Sequence, residues 1–406
     1  MKKILLLGGS AQQVSVIKKS RVLGYYTVLC DYLPDNPGRY EADRFYLVST
    51  TDKEAVLDVA KREMVDGVLA YASDPAAPTA AYVAERLHLP GNPYDSVEIL
   101  CNKDRFREFL QTHDFHTPLA CGYHCLEDAM KDFHRFSLPV IVKPVDSSGS
   151  KGVSRVTDAA ELTDAVAYAM EFSRGKRIII EEWVEKYGYQ IAGDGLSIDG
   201  KLVFYYFAND HFDTRCVNPF VPVSASFPYC MPREVHEKIA SEIQRLLTLL
   251  QMKTCTYNFD IRIDKNQNVY LMEIAPRDGG NYIPEVIQYA AGVDLAEYAI
   301  RGAMGEQLQA PKVGIAEGYY AYYAVHSLTD GILQEIQISS EAYQHILEDH
   351  ILVKPGDHVK AFTGANTTLG ILLMRFDSME QMLDMMDYSQ NWINILLKEE
   401  MQNDIL

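Results

Sequence analysis

"DIRIDKNQNVYLME", Asp260 to Glu273, places a carboxylate at each end of a segment that reads as a short β-hairpin. Pairing it about Asn266–Gln267 sets Asp264 opposite Val269, Ile263 opposite Tyr270 and Asp260 opposite Glu273. Side chains alternate along a strand, so both carboxylates share one face, and "FDIRI" and "VYLMEI" turn apolar residues to the other. Directly opposed Cβ atoms lie roughly 4.5–5.5 Å apart, where like charges are destabilising. A cation would offset that cost. Mg²⁺ takes oxygen ligands, typically one or two carboxylates with phosphates and water. The alternative is that Arg262 or Arg277 neutralises the pair without metal. Asn258 falls across from Ala275 on the same face, one step beyond the pair.

Upstream, "IVKPVDSSGSKGV" (141–153) delivers Lys143 on a β-run that Pro144 ends. Ser147, Ser148, Gly149, Ser150 and Gly152 then form a small-residue loop with Lys151 inside it. Small residues let backbone N–H groups approach phosphate oxygens. No Walker loop is present, and a flexible hairpin tip is the plainer alternative. The lysine ahead of the loop favours phosphate. "RIIIEEWVE" (177–185) reads as a buried strand that turns polar at Glu181-Glu182. Such a strand can offer backbone groups to a base edge, or simply end there.

The first hundred residues alternate strand and helix, which implies a parallel sheet with both faces covered. Gly8 and Gly9 end the first strand, but the GxGxxG dinucleotide fingerprint is absent. A helix begins at "NKDRF" with Asn102 as its N-cap, and antiparallel strands follow from "YQIAGDGLSIDG". The last hundred residues predict a small α+β unit that closes with one helix over "SMEQMLDMMDYSQNWINILL". "HDFHTPLACGYHC" (113–125) is rich enough in His and Cys to suggest zinc. Its spacing matches no standard finger, and a helix end, a Thr-Pro turn and a strand account for it.

The net charge of −18 argues against nucleic acid or an anionic membrane as partner for the whole surface. No apolar run is long enough to span a bilayer, and "MKKILLLGGS" reads as a first strand rather than a signal peptide. Seven scattered cysteines fit reduced thiols and a cytoplasmic location.

In this order, the segments resemble the ATP-grasp superfamily over nearly the whole chain. The resemblance implies an α/β and α+β architecture: a parallel pre-ATP-grasp domain over 1–100, a two-lobed ATP-grasp domain over 101–304 and an α+β cap over 305–406. It implies ATP with Mg²⁺ or Mn²⁺ as cofactors. Lys103 and Lys143 look like the nucleotide-binding lysines, and Ser147 to Gly152 like a mobile lid over the phosphates. Glu181, Glu182, Trp183 and Val184 look like the adenine hinge. Gln190 falls near a ribose-binding glutamate, from which it departs. Asp260 and Glu273 look like the metal carboxylates, and Arg277 and Lys151 like the catalytic cations. "EIAPR" resembles E-x-N-x-R with Ala275 in place of the metal-binding Asn, so one metal or two stays open. Asn258 or Asn281 could supply the missing oxygen, and Asp278, Gly279, Gly280 and Asn281 line the acceptor side.

The implied activity is that of an ADP-producing ligase. A carboxylate is activated as an acyl phosphate and an amine then attacks it, with no nucleophilic Ser or Cys required. The alternatives are a bicarbonate-activating enzyme of the carboxylase or carbamoyl phosphate synthetase kind, a glycinamide ribonucleotide synthetase-like enzyme, and an ATP-binding protein with lapsed catalysis. The implied partners are small-molecule carboxylates and amines, without nucleic acid or membrane, in a chain whose relatives often form homodimers.

Overall fold

A computed structural model describes residues 1–312 and 318–398. The opening strand–helix alternation forms a four-stranded parallel sheet. Its strands lie in the order Arg44–Leu47, Tyr26–Asp31, Lys3–Leu7, Gly67–Leu69. Lys3–Leu7 is central and almost wholly buried, as a strand covered on both faces must be. Arg44–Leu47 is an added edge strand that the sequence pattern does not announce, because none of its four residues is fully buried.

A second sheet is antiparallel, ordered Ala120–Tyr123, Ile178–Glu182, Val140–Pro144, Ser154–Val156, and carries the helix Leu162–Phe172 on one face. Facing it is an eight-stranded sheet. Val269–Ala275 forms one edge, followed by Cys255–Ile263, Gln190–Ile198, Lys201–Phe212 and Pro222–Phe227. Tyr319–Val325, Gly370–Phe376 and Ile346–Ile351 then continue it, so strands from both sides of residue 305 share one ladder. The helix Arg233–Leu249 presents Val235, Ile239, Ile243 and Leu246 to the core at helical spacing.

Three local expectations are corrected. The hairpin register holds at its far end, with Asp260 opposite Glu273 and Asn258 opposite Ala275, but a bulge follows. Beyond it Arg262 meets Tyr270 and Ile263 meets Val269. The cause is Asp264, whose carboxylate accepts from the Asn266 and Asn268 amides at 2.8 and 2.9 Å and caps the turn instead of joining the ladder. Asn102 does occupy the N-cap of the helix Lys103–Thr112, yet makes no cap bond, because its amide donates to Glu98 at the end of the preceding helix Tyr94–Cys101. The closing helix covers only Met379–Asp387, and Ile393–Lys398 is a strand on Gly331–Ile338. Its alternating Ile393, Ile395 and Leu397 suit a sheet edge better than a helix face.

Asp387, at the end of that helix, accepts from His211 Nδ1 at 2.6 Å and from Tyr189 Oη at 2.5 Å. His211 Nε2 lies 2.8 Å from Ser226 Oγ, so one carboxylate ties the closing helix to two strands of the large sheet and to Tyr189, the residue that precedes a third. Replacing Asp387 with Ala should lower stability by about 1–3 kcal/mol, read by chemical denaturation.

Candidate active site

A cavity of about 700 Å³ opens between the second sheet and the eight-stranded sheet. Lys103, Lys143, Ser147 to Lys151, Glu181 to Val184, Gln190, Asn258, Asp260, Glu273, Arg277, Gly280 and Asn281 all line it. Gly152, Asp278 and Gly279 do not, although each adjoins a residue that does. Gln12, Asp74, Lys186, Asp210 and Tyr322 also line it, and the sequence reading did not single them out.

The carboxylate pair is held asymmetrically. Glu273 receives Lys103 Nζ at 3.2 Å, and the same ammonium bonds the Ser147 carbonyl at 2.9 Å. Burial pushes the Glu273 carboxyl up, but Lys103, Arg277 and Lys143 bring it below the ordinary carboxylate range. Asp260 has no such partner. Its Oδ1 is buried without a hydrogen bond, and burial pushes its carboxyl up to about 6, against the opposing pull of Arg262 and with Glu273 adding to the rise. An orphaned carboxylate oxygen directly across from a second carboxylate is a donor set that fits a hard divalent cation. Neither Arg262 nor Arg277 makes an ion pair with either carboxylate. Arg277 grips Asp74 at 2.5 Å, and Arg262 donates to Gln190 Oε1 and the Val184 carbonyl, each at 3.0 Å.

The hinge is engaged with the protein itself. Glu181 is buried and binds Arg107 at 3.0 Å and Lys143 on its other oxygen. Burial opposes its charge, yet these cations hold it at about 2. Burial also pushes the Lys143 ammonium below its ordinary value, with Glu181 opposing. The amides of Glu182 and Trp183 already donate to Leu119 and Pro139, so the expectation that the whole segment faces a base edge is too broad. Met272 is the extra residue of the bulge and lines the cavity beside Glu273, whereas neighbours on a regular strand face opposite sides. With Ile141 from the opposite sheet it gives the cavity apolar surface for a flat ring.

The small-residue loop turns through left-handed φ at Gly149, Ser150 and Gly152. Ser150 Oγ donates to the Phe220 carbonyl at 2.9 Å, and Asn218 Nδ2 donates to the Ser150 carbonyl at 2.9 Å. The loop therefore rests on the 213–221 segment. At the far end, Asn258 Nδ2 donates to Asp194 Oδ1 at 2.8 Å, and the Gly279 amide donates to Asp194 Oδ2 at 2.8 Å. Gln12 accepts from the Asn281 amide at 2.8 Å. Asp278 receives Thr256 at 2.9 Å and turns away from the cavity, where burial and then Asp194 push its carboxyl well up.

The His/Cys stretch 113–125 has local uses: His113 stacks on Phe109, and the Cys125 thiol donates to Asp128. Among the described residues a different trio, Asp213, Cys216 and His326, brings three donor atoms together, but Arg215 already binds both Asp213 oxygens.

Comparisons with known proteins bear on the central part of the chain and on the fold as a whole. The family model for the ATP-grasp domain matches residues 136–285. The carbamoyl phosphate synthase large chain of Thermoanaerobacter sp. (strain X514) is 26% identical over 273 residues, 66% of this chain and 24% of that one. The uncharacterized protein y4rH of Sinorhizobium fredii is 28% identical over 278 residues, 65% of this chain and 55% of that one. The chain thus spans from about a quarter to about half the length of these relatives. Among solved structures, the L-amino acid ligase of Bacillus licheniformis superposes with a TM-score of 0.82 at 22% identity, over 98% of this chain and 99% of that one. The phosphoribosylglycinamide synthetase of Anaerococcus prevotii gives 0.76 at 21% identity, over 98% and 100%. Residues 136–285 match the ATP-grasp domain model, and the chain as a whole shares the fold of these solved structures. Among the described residues no helix is long and apolar enough to cross a membrane.

Asp194 gives this end of the site a pH signature. Burial pushes its carboxyl from 3.8 up to about 7, against the Gly279 and Asn258 hydrogen bonds. The folded state therefore holds this proton more strongly than the unfolded chain does. That contribution to stability is fully present below about pH 4 and is lost as pH rises through 7. Metal-free protein should lose stability across that window, by up to about 4 kcal/mol from this group. Asp194→Asn should flatten the slope in denaturation curves taken from pH 4 to 8.

Proposed function

We propose that this protein is an ATP- and magnesium-dependent ligase that activates a small carboxylic acid as an acyl phosphate and joins it to an amine. The observation that carries the reading is the orphaned Asp260 oxygen opposite Glu273, in one cavity with Lys103, Lys143 and the small-residue loop. Asp260 and Glu273 would hold the magnesium, which supplies charge neutralisation for phosphate oxygens. Met272, Ile141 and the hinge take the base, and the amides of the 147–152 loop with Lys151 take the outer phosphates. The substrate carboxylate attacks the γ-phosphorus, the bond to the β-phosphate oxygen breaks and ADP leaves. The amine then displaces phosphate from the acyl carbon. Charge spreads over the transferring oxygens in the first step, and Lys103, Lys143, Lys151 and Arg277 are placed to balance it. Gln12, Asp74, Gly280 and Asn281 surround the acceptor end. Bicarbonate as the acid is the second reading; the relatives named carbamoyl phosphate synthase favour it.

Purified protein with Mg-ATP should release ADP and phosphate when a panel of amino acids and small acids includes its substrate. ADP release that depends on bicarbonate alone would select the second reading. Absence of Mg-ATP binding by calorimetry would sink both. Asp260→Asn and Glu273→Gln should each cut ADP release at least about a hundredfold, the loss seen when one charge-stabilising group is removed. Their stabilities should differ in metal-free protein at pH 8. Asp260→Asn removes an unpartnered buried charge and should melt higher, whereas Glu273→Gln strands Lys103 and should melt lower.

A further inference from the structure

The loop that leaves the strand Lys201–Phe212 brings three unlike donor atoms together beside the cavity, not in it. Asp213 and Cys216 share one turn, closed by the Cys216 amide donating to the Asp213 carbonyl at 3.1 Å. His326 follows the end of the strand Tyr319–Val325, 113 residues beyond Asp213. An Asp213 oxygen, the Cys216 sulfur and a His326 ring nitrogen lie within 4.8 Å of one another. Cys216 is 6% exposed and His326 7%, so the donors meet inside the protein.

The hydrogen bonds show what this arrangement lacks. His326 Nδ1 lies 2.8 Å from the Ala324 carbonyl. A carbonyl only accepts, so the proton sits on Nδ1 and the lone pair of the neutral ring on Nε2. Nε2 then faces Asp213 Oδ2 at 3.3 Å, an acceptor against an acceptor. A histidine held through its far nitrogen by a backbone carbonyl is the arrangement of metal ligands, where that bond fixes tautomer and ring angle. Arg215 does not close the site. Its backbone amide and Nε occupy Asp213 Oδ1 at 2.9 and 2.8 Å, and its Nη2 takes one lone pair of Oδ2 at 2.5 Å. The other lone pair of Oδ2 is left on the His326 side. Cys216 is a free thiol whose sulfur has no hydrogen-bond partner among the described residues. A buried cysteine often serves as a small apolar side chain. This one has an imidazole nitrogen and a carboxylate oxygen within reach, which an apolar site would exclude.

Sulfur, nitrogen and oxygen in one set suit a borderline metal such as zinc better than magnesium, which seeks oxygen alone. Tetrahedral zinc sets a nitrogen and an oxygen ligand roughly 3.3–3.5 Å apart. Nε2 and Oδ2 are already 3.3 Å apart. The sulfur has about 1 Å to draw in for a bond near 2.3 Å. Two ligands three residues apart on one turn, with a third from a distant strand, is also how zinc sites are commonly built. The rings of Tyr323 and Phe362 stand 5.8 and 5.1 Å from that of His326 and supply an apolar wall.

We propose that Asp213, Cys216 and His326 form a zinc site, separate from the Asp260–Glu273 pair, that pins the 213–221 segment to the end of the strand Tyr319–Val325. That segment supports the small-residue loop through Phe220 and Asn218, and its Thr214, Pro219 and Phe220 line the cavity. The metal thus fixes the surface on which the loop rests.

The test is calorimetry of zinc chloride against the whole chain, reduced, stripped of metal and held in excess magnesium, with Cys216→Ala and His326→Ala beside it. The intact protein should bind zinc and melt at a higher temperature with it. Each variant should bind at least about a hundredfold more weakly, since loss of a mere supporting partner of a metal ligand already costs about ten- to a hundredfold. X-ray absorption at the zinc edge reads the same site in the intact protein, so the test stands even where a variant fails to fold. It should show a single sulfur at about 2.3 Å with nitrogen and oxygen at about 2.0–2.2 Å. No zinc binding in excess magnesium would overturn the proposal and leave Asp213 and His326 as an ion pair alone. A zinc shell without sulfur, or with more than one, would overturn it by placing the metal elsewhere. So would folded variants that bind zinc as tightly as the intact protein.

Discussion

Two carboxylates face each other across neighbouring strands, and only one of them has a cation of its own. Lys103 reaches Glu273 and also the Ser147 carbonyl, so a single ammonium joins the acid pair to the start of the small-residue loop. Asp260 is left with a buried, unpartnered oxygen. The repulsion across the pair cannot be relieved by moving the chains apart, because it is fixed by the ladder and by the bulge that follows. It can be relieved by protonation or by a cation. The first is consistent with the raised Asp260 carboxyl and the second with the oxygen donors on hand.

The cations around the pair are themselves restrained by other acids of the same cavity. Glu181 holds Arg107 and Lys143, and Asp74 holds Arg277. Burying so many charges is costly unless each is matched, and the matches cross structural units. Arg107 belongs to the helix Lys103–Thr112, Lys143 and Glu181 to the second sheet, and Asp74 to the turn after the parallel sheet. The pairs therefore set the relative placement of these units as well as the charge of the site. On the function proposed above, the residues that would receive an anion are in this way held in place before it arrives, which is what preorganised electrostatic stabilisation requires.

The hairpin was legible because its meaning lies in alternation, which is local. The turn-side register alone, with Arg262 opposite Tyr270, would bring Asp260 opposite Met272; the bulge that leaves Met272 unpaired returns Asp260 to Glu273. The bulge was not legible, since it arises from Asp264 turning its carboxylate inward to the loop amides, a choice between two local hydrogen-bonding patterns. Lys103, Lys143 and the small-residue loop could be read from composition and order. Asp194 and Asp210 could not, because nothing in "GDGLS" or "ANDHF" marks an acid as buried until distant strands cover it, and nothing in "SDPAA" marks the half-buried Asp74 as the partner of Arg277. The closing strand Ile393–Lys398 was missed for a related reason. Its pattern decides between helix and strand only once the free edge of Gly331–Ile338 is there to receive it.

Five acids in or behind the cavity wall differ by environment rather than by type. Glu273 is kept ionised by Lys103, whereas Asp194 is desolvated and spends its oxygens on Asn258 and Gly279. Asp278 is buried behind it, Asp260 reaches the cavity with an unpartnered oxygen, and Asp210 lines the cavity as well. Asp194 in turn fixes the orientation of Asn258. Because the Asn258 amide nitrogen donates to Asp194 and to the Gly193 carbonyl, its side-chain oxygen is the atom left for the cavity. Asn258 pairs directly with Ala275, two residues beyond Glu273 on its strand. Where the strand of Glu273 offers only the methyl of Ala275, its partner strand thus offers the Asn258 oxygen, held outward by an acid that does not itself line the cavity.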